Sequence, residues 1–404
     1  MIQTGCAEVP KEVQEDIAAR GEMQESETDR QTSQEVSLVP IKEVIEHTPS
    51  EWKADAGVAH FDGTVHVPDT DELCKWKVEI TNEVFQNPEK TREAFLKYCD
   101  NLDVKQEYED EDGFFKDYID YADDATVADN EGTNGIGIYE WGKVAMVMLS
   151  DYWKDVEKTN EWLYFPPEKL SRVTSYEFDA NGRCVEGGTD SYKLYNQESI
   201  SIQESMDTFD DVIQSYLTVE PGLDIRPDRV IVFYNEAADC YLLDIHEILQ
   251  FDGVPVDEAT LPEQDVMRFH KMCRLGATLY QNEYGSGAYP YWTYLDGAYK
   301  TTDKLESYDS IIDFESAWGL VSAVMADEKD VTIDRADLLY SIYYMAEHED
   351  ADILWQTRLT EPPQMYAEPV WRFVSYQGDG SSPYVYYVNA VTGEVMAYEN
   401  GILD

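Results

Sequence analysis

Between Val370 and Gly401 apolar and polar positions alternate with a period of two, and the alternation predicts strands. In VWRFVSY, Trp371, Phe373 and Ser375 alternate with Arg372, Val374 and Tyr376, before Gly378, Asp379, Gly380 and Pro383 interrupt. Tyr384 to Val388 resumes the run with aromatic and β-branched residues, which suit a pleated, half-buried surface. Asn389 to Gly393 is a short turn in which Gly393 can take a positive φ, and Glu394 to Tyr398 runs back. The segment is an antiparallel meander.

Upstream the pattern switches twice between helical and strand periods. Asp313 caps a helix with Ala317, Leu320, Val321 and Val324 on one face, followed by a strand around Leu338 to Met345. Earlier, Asp207 caps Met206 to Leu217, with Phe209, Val212, Ile213 and Tyr216 on one face; the strands Arg229 to Tyr234 and Cys240 to Leu249 follow, then FDGVPV from Phe251 to Val256. Helix then strands, twice, predicts two related α+β units, each a helix packed on an antiparallel sheet.

The N-terminal half is read in the same way. Gly57 to Val67 alternates around Asp62-Gly63 as a hairpin, and Trp76 to Ile80 continues it. Pro88 opens a helix that buries Ala94, Phe95 and Tyr98. Glu107 to Asp124 is read as a helix with Phe114, Phe115, Tyr118, Ile119 and Ala122 inward. Ile136 to Leu149 is a hairpin about Trp141-Gly142-Lys143, and Tyr176 to Arg183 is another, turning at Ala180-Asn181-Gly182. Residues 7–36 are polar, rich in Glu and Gln, and are read as a disordered tether. The fold class is α+β, divided into 1–36, 37–200, 201–304 and 305–404.

The meander, with Trp371, Val388, Asn389, Thr392, Gly393, Glu394 and Val395, resembles the end of PepSY-like domains and of the extracytoplasmic regulators of Gram-positive sensor kinases of the YycH and YycI type. Phe251 to Val256 resembles a phrase common in those ectodomains. The order of elements, with Val65 to Ile80 (VHVPDTDELCKWKVEI), is similar to a family of uncharacterised lipoproteins from gut clostridia. These resemblances imply a binding or regulatory protein of the cell envelope and bring no activity with them.

Charge narrows the partners. Eighty-three acidic against thirty basic residues give a formal charge of -53, a field that repels nucleic acid phosphates and anionic lipid surfaces. Nucleic acid is excluded as a partner, and no run of eighteen apolar residues crosses a membrane. Gln3-Thr4-Gly5-Cys6-Ala7 resembles a bacterial lipobox, with Gln3 where Leu is usual. The charged and apolar parts of a signal peptide do not precede it, so the resemblance implies lipidation of Cys6 only with an upstream start. Location is then the extracellular face of the cell membrane, reached through the anchor alone. The cysteines at 6, 74, 99, 184, 240 and 273 form no CxxC pair, and the five left beyond Cys6 read mainly as reduced, buried thiols.

Candidate chemistry is sparse. An EF-hand loop with its glycine at Gly113 would begin at Tyr108 and end at Ile119, neither a carboxylate, so no calcium loop is read there. His60 and His66 would face each other across the hairpin but lack a placed carboxylate, and His270 and Cys273 share a face only if Glu263 to Leu279 is helical. No G-x-S-x-G, H-E-x-x-H or phosphate-binding glycine loop occurs. With so many acids, a pair of carboxylates carries no signal. No catalytic residue, metal or cofactor is assigned. Twenty-nine tyrosines and nine tryptophans are the remaining feature, densest from Tyr280 to Tyr299. Tyr280, Tyr284, Tyr289, Tyr291, Trp292 and Tyr294 on an exposed loop offer flat faces for a glycan or peptidoglycan fragment, or for a protein. The leading expectation is a non-catalytic surface lipoprotein that binds or regulates another envelope or secreted protein.

Overall fold

The alternation at the C-terminal end folds as read. Met365–Ser375, Tyr384–Asn389 and Val395–Tyr398 pair antiparallel in sequence order. The Asn389 carboxamide oxygen accepts the N–H groups of Val391 and Thr392, each at 2.9 Å, and Gly393 turns the chain at φ 77°. The computed structural model describes residues 37–81, 83–95, 106–109, 115–121, 133–141, 144–152, 170–179, 181–194, 199–236, 239–257, 268–270, 274–279, 290–296, 299–325, 331–345, 365–375 and 384–398. The N-terminal segment read as a tether, with Cys6, lies outside them.

Two large sheets, two short strand pairs (Leu38–Pro40 with Ser310–Ile312, and Ser191–Lys193 with Ser199–Ser201) and few helices make up the described residues, a mixed α+β fold. The larger sheet runs, in spatial order, Gln106–Glu109, Phe115–Tyr121, Thr133–Trp141, Val144–Tyr152, Pro290–Asp296, Arg274–Leu279, Cys240–Phe251, Asp224–Asn235 and Leu170–Glu177. The second runs Tyr299–Tyr308, Leu73–Ile80, Met365–Ser375, Val331–Met345, Ala59–His66 and Glu51–Ala56, with the meander continuing from Met365–Ser375. All its pairings are antiparallel except that of Val331–Met345 with Ala59–His66. That parallel pairing joins early and late parts of the chain. The divisions at 200/201 and 304/305 therefore do not separate sheets, and Leu38–Asp404 is one unit.

Local readings fail where long-range packing decides. Glu107 to Asp124 does not form one helix: Gln106–Glu109 and Phe115–Tyr121 are paired strands, and Phe115–Tyr121 is also paired with Thr133–Trp141, so neighbouring strands on both sides take up its backbone groups. Arg268–His270 and Arg274–Leu279 are strands as well, so His270 is not on a helix, and Cys273 lies outside the described residues. The first hairpin turns at Gly57-Val58, with Gly57 at φ 72°, and Asp62-Gly63 sits inside a strand. His60 and His66 are consequently six residues apart on one strand and do not face each other. His60 pairs with Asp55 at 2.6 Å and His66 with Glu177 at 3.1 Å.

Each sheet has a helix against it. Ile202–Val219 starts one turn before the expected Met206, because Ser201 and Glu204 form a capping box: the serine hydroxyl accepts the Glu204 N–H and the glutamate accepts the Ser201 N–H at 3.0 Å. Phe209, Val212, Ile213 and Tyr216 are buried, as read. Phe314–Met325 follows Asp313, whose carboxylate accepts the Ser316 N–H at 2.7 Å. Its buried face is Phe314, Ala317, Trp318, Val321 and Met325, leaving Val324 exposed. The rotation is set by aromatic packing, since Phe314 lies 4.9 Å from Trp52 and 5.5 Å from Phe61, and Trp318 lies 5.6 Å from Phe61.

A chain of charges links the sheets. Arg372, 1% exposed, donates from Nη2 to Asp337 at 2.8 Å and from Nη1 to Asp257 at 2.6 Å. The Tyr387 hydroxyl donates to the other Asp257 oxygen at 2.6 Å. Arg335 donates to the second Asp337 oxygen at 2.8 Å and lies 3.7 Å from Asp228, which also takes Arg229 at 2.8 Å. Burial alone would push Asp337 up, but Arg335, Arg372 and His66 outweigh it and hold this carboxyl well below the usual range.

Glu247 is the opposite case. It is 1% exposed, and neither carboxylate oxygen has a hydrogen-bond partner among the described residues. Burial first, and then Asp210 of the helix, push its pKa well above the ordinary value. A carboxyl raised in this way costs nothing below about pH 4, where folded and unfolded states both hold the proton. The cost grows as pH rises from the unfolded pKa and levels off above the folded one. Glu247→Gln is expected to add about 1–3 kcal/mol at pH 8 and almost nothing at pH 4. Urea midpoints at the two pH values check this, and an effect independent of pH would refute it.

Candidate binding surface

Residues 178–179 and 181–190 belong to a loop whose turns are held by local hydrogen bonds. The Asp179 carboxylate accepts the N–H groups of Asn181 at 2.8 Å and Arg183 at 3.0 Å, and the Arg183 and Asn181 amides hold its pKa below the ordinary value. Gln203, in the first turn of the 202–219 helix, accepts the Cys184 N–H at 2.9 Å and donates to the Gly182 carbonyl at 2.9 Å. The next turn closes from the Asp190 N–H to the Gly187 carbonyl at 2.8 Å. Gly187 has φ +75°, and a Cβ there would fall 2.7 Å from the Tyr176 ring and 2.8 Å from the Asp190 carboxylate. Only glycine lets the loop lie against that ring.

On this base stands a strip of four half-buried tyrosines. Tyr176 is the last residue but one of the strand 170–177, Tyr192 is in the short strand Ser191–Lys193, and Tyr234 and Tyr241 are directly opposed across the 224–235 and 240–251 pair. Ring centroids are 6.2 Å apart for Tyr176 and Tyr192, 5.0 Å for Tyr192 and Tyr241, and 5.2 Å for Tyr234 and Tyr241. The hydroxyls are pinned too. Tyr176 donates to Asp190 at 2.9 Å and its oxygen lies 2.6 Å from that of Tyr192; Tyr234 donates to Asp239 at 2.9 Å. Burial first, and then the bonds with Tyr192 and Asp190, push the Tyr176 phenol up. The bond to Asp239 first, and then burial, push Tyr234 up. Both stay neutral phenols at physiological pH. Asp190 and Asp239 are exposed at the two ends, Asp239 in the left-handed region at φ 52°.

The arrangement offers aromatic surface with carboxylate acceptors at its ends. It has no nucleophile and base within hydrogen-bond reach of each other, and no group of three or more His, Cys, Asp or Glu is placed to hold a metal ion among the described residues. Cys74, Cys184 and Cys240 are free thiols; Cys74 and Cys240 are buried, and burial followed by Asp239 pushes Cys240 up to about 11.

The aromatic residues singled out from the sequence lie elsewhere. Tyr280, Tyr284 and Tyr289 are outside the described residues. Tyr291, Trp292 and Tyr294 belong to Pro290–Asp296, a strand paired on both sides, rather than to an exposed loop. PYWTYLD combines the aromatic and β-branched residues of a strand, and pairing partners on both sides satisfy its backbone. The strip was missed because its four tyrosines are spread over 176–241, and density within one short window favours 280–299. The expected strand pair 229–234 and 240–249 already carried the signal, with Tyr234 and Tyr241 flanking its turn.

No family model matches the chain, and no curated protein matches it. Among solved structures it is similar to an uncharacterized protein from Eubacterium rectale ATCC 33656, with a TM-score of 0.54 and 13% sequence identity, over 89% of this chain and 98% of that one. At that identity the likeness shows the fold, a mixed α+β architecture of mostly antiparallel sheets with few helices.

Proposed function

We propose that this chain is a non-catalytic lipoprotein of the cell surface that binds, and by binding regulates, another protein of the cell envelope. The observation that carries the reading is the tyrosine strip, four half-buried rings fixed by one another and by two carboxylates before any partner arrives. Aromatic side chains held in place lose little entropy on binding, which is why tyrosine is enriched in protein contacts. The resemblance of the last hundred or so residues to PepSY-like regulators supports the same reading. In this view the two helix-and-sheet halves are PepSY-like units and the first 36 residues are a tether ending in a lipidated Cys6.

Cross-linking in cells that express the full chain from an upstream start tests the proposal. The protein is expected in the membrane fraction, cross-linked to one envelope protein, and Cys6→Ser is expected to move it to the supernatant. A soluble distribution unchanged by Cys6→Ser would refute the anchor. Recovery of glycan without protein would turn the reading to a glycan binder.

A further inference from the structure

Among the described residues the chain shows twice what its tyrosines and tryptophans do beside a carboxylate. Lys75 lies over the rings of Tyr343 and Tyr366, at 5.8 and 5.5 Å, while its ammonium pairs with Glu368. Lys304 lies over Trp76 at 5.3 Å and pairs with Glu72 at 2.6 Å. In each case an aromatic face and an acid share one cation, the combination of ring quadrupole and ion pair that holds ammonium and guanidinium groups. The strip formed by Tyr176, Tyr192, Tyr234 and Tyr241 has the same ingredients. Asp190 stands at one end, and Asp239 and the exposed Glu236 at the other. Among the described residues no lysine or arginine lies over these four rings.

We infer that this strip is the docking site for a Lys- or Arg-bearing segment of a protein partner, the cation supplied from outside where Lys75 and Lys304 supply it within. The inference rests on the binding function proposed above. Charge complementarity selects the occupant. Asp190 and Asp239 each take one tyrosine hydroxyl, and a carboxylate has about four lone-pair sites, so both keep room for a guanidinium or ammonium donor. Phenols that donate to carboxylates have more electron-rich rings, which favours a cation over them. Lys193 and Arg172 are the nearby basic residues on the strands that carry Tyr192 and Tyr176, and they are outnumbered in a chain of net charge -53. That field attracts a cationic partner before contact and speeds its capture.

The test is fluorescence anisotropy of a labelled Gly-Arg-Gly-Lys-Gly-Arg peptide, capped at both ends, on the full chain at about 150 mM salt, where distant charges are largely screened. Tyr192→Ala with Tyr241→Ala is expected to weaken binding at least tenfold. Asp190→Asn with Asp239→Asn, both exposed and with a carboxamide oxygen that can still accept the tyrosine hydroxyl, is expected to do the same and serves if the tyrosine variant fails to fold. Asp303→Asn with Glu306→Gln, an equal change of charge on the strand 299–308, is expected to alter binding less than twofold. Equal losses in the strip and control variants, or no loss in either strip variant, would overturn the site. Displacement of the peptide by chitotetraose would overturn the occupant in favour of a glycan. A cross-linked envelope partner that strip substitutions leave in place would keep the binding function and remove this site from it.

Discussion

Replacing Arg372 by Ala is expected to cost about 3–5 kcal/mol, a large share of the 5–15 kcal/mol that holds a typical domain together. The side chain is 1% exposed and bonds to Asp337 and Asp257, so its removal leaves two carboxylates in a site where water does not reach them. Tyr387 and Arg335 still hold one oxygen each, which caps the loss. The pH dependence has a definite sign. Asp337 is depressed in the folded state, so its stabilisation is complete above its unfolded pKa near 4 and is lost as pH falls through the folded value. Without Arg372 that benefit shrinks, and the deficit of the variant is therefore larger at pH 7 than at pH 3. Urea unfolding at both pH values measures it, and a cost below about 1 kcal/mol at pH 7 would mean that the arginine is not the hub of the junction. Arg372→Lys keeps the charge without the planar fork and should recover only part of the loss, because one ammonium does not reproduce paired N–H donors aimed at two carboxylates.

The residues of this junction also mark where sequence reasoning stops. Strand alternation found the meander and, with local turn chemistry, the hairpin around 141–144 and the 224–235 and 240–251 pair, because a period of two and a nearby turn are properties of a short segment. Nothing in Arg372, Asp337 or Asp257 announces that residues 115 positions apart share a bond; each reads as a polar residue in or beside a strand. The same limit hid the tyrosine strip, which topology assembles from four short stretches. Helix faces fared between these extremes. Phe209, Val212, Ile213 and Tyr216 were legible because apolar residues on that helix fall on one side, whereas Phe314–Met325 is apolar on several sides and its orientation is decided by the Trp52, Phe61 and Phe373 rings it meets.

Gly63→Ala is expected to cost about 3 kcal/mol or more, at the upper end for overpacking, although the sequence around it reads as an ordinary turn. Asp62-Gly63 is a common hairpin signal, and glycine at a turn tolerates replacement when its φ is negative. Here the glycine lies inside the strand 59–66, opposite Trp52 and beside the parallel strand 331–345, where the pairing shifts register between Ile333 and Arg335. A Cβ would stand 1.9 Å from the Asp334 carbonyl oxygen and 2.6 Å from its Cα, both backbone atoms. No side chain can rotate away to relieve the collision. The two strands must part, and what they join is the early hairpin to the late half of the sheet. Gly57→Ala is the matched control. Gly57 has φ 72°, where an L-residue is strained, but a Cβ there meets nothing within 4 Å, so its cost is the conformational one of about 1–2 kcal/mol. Thermal or urea unfolding that ranks Gly57→Ala as the more damaging change would place the turn at 62–63 after all, and would remove the parallel pairing on which the joined sheet depends.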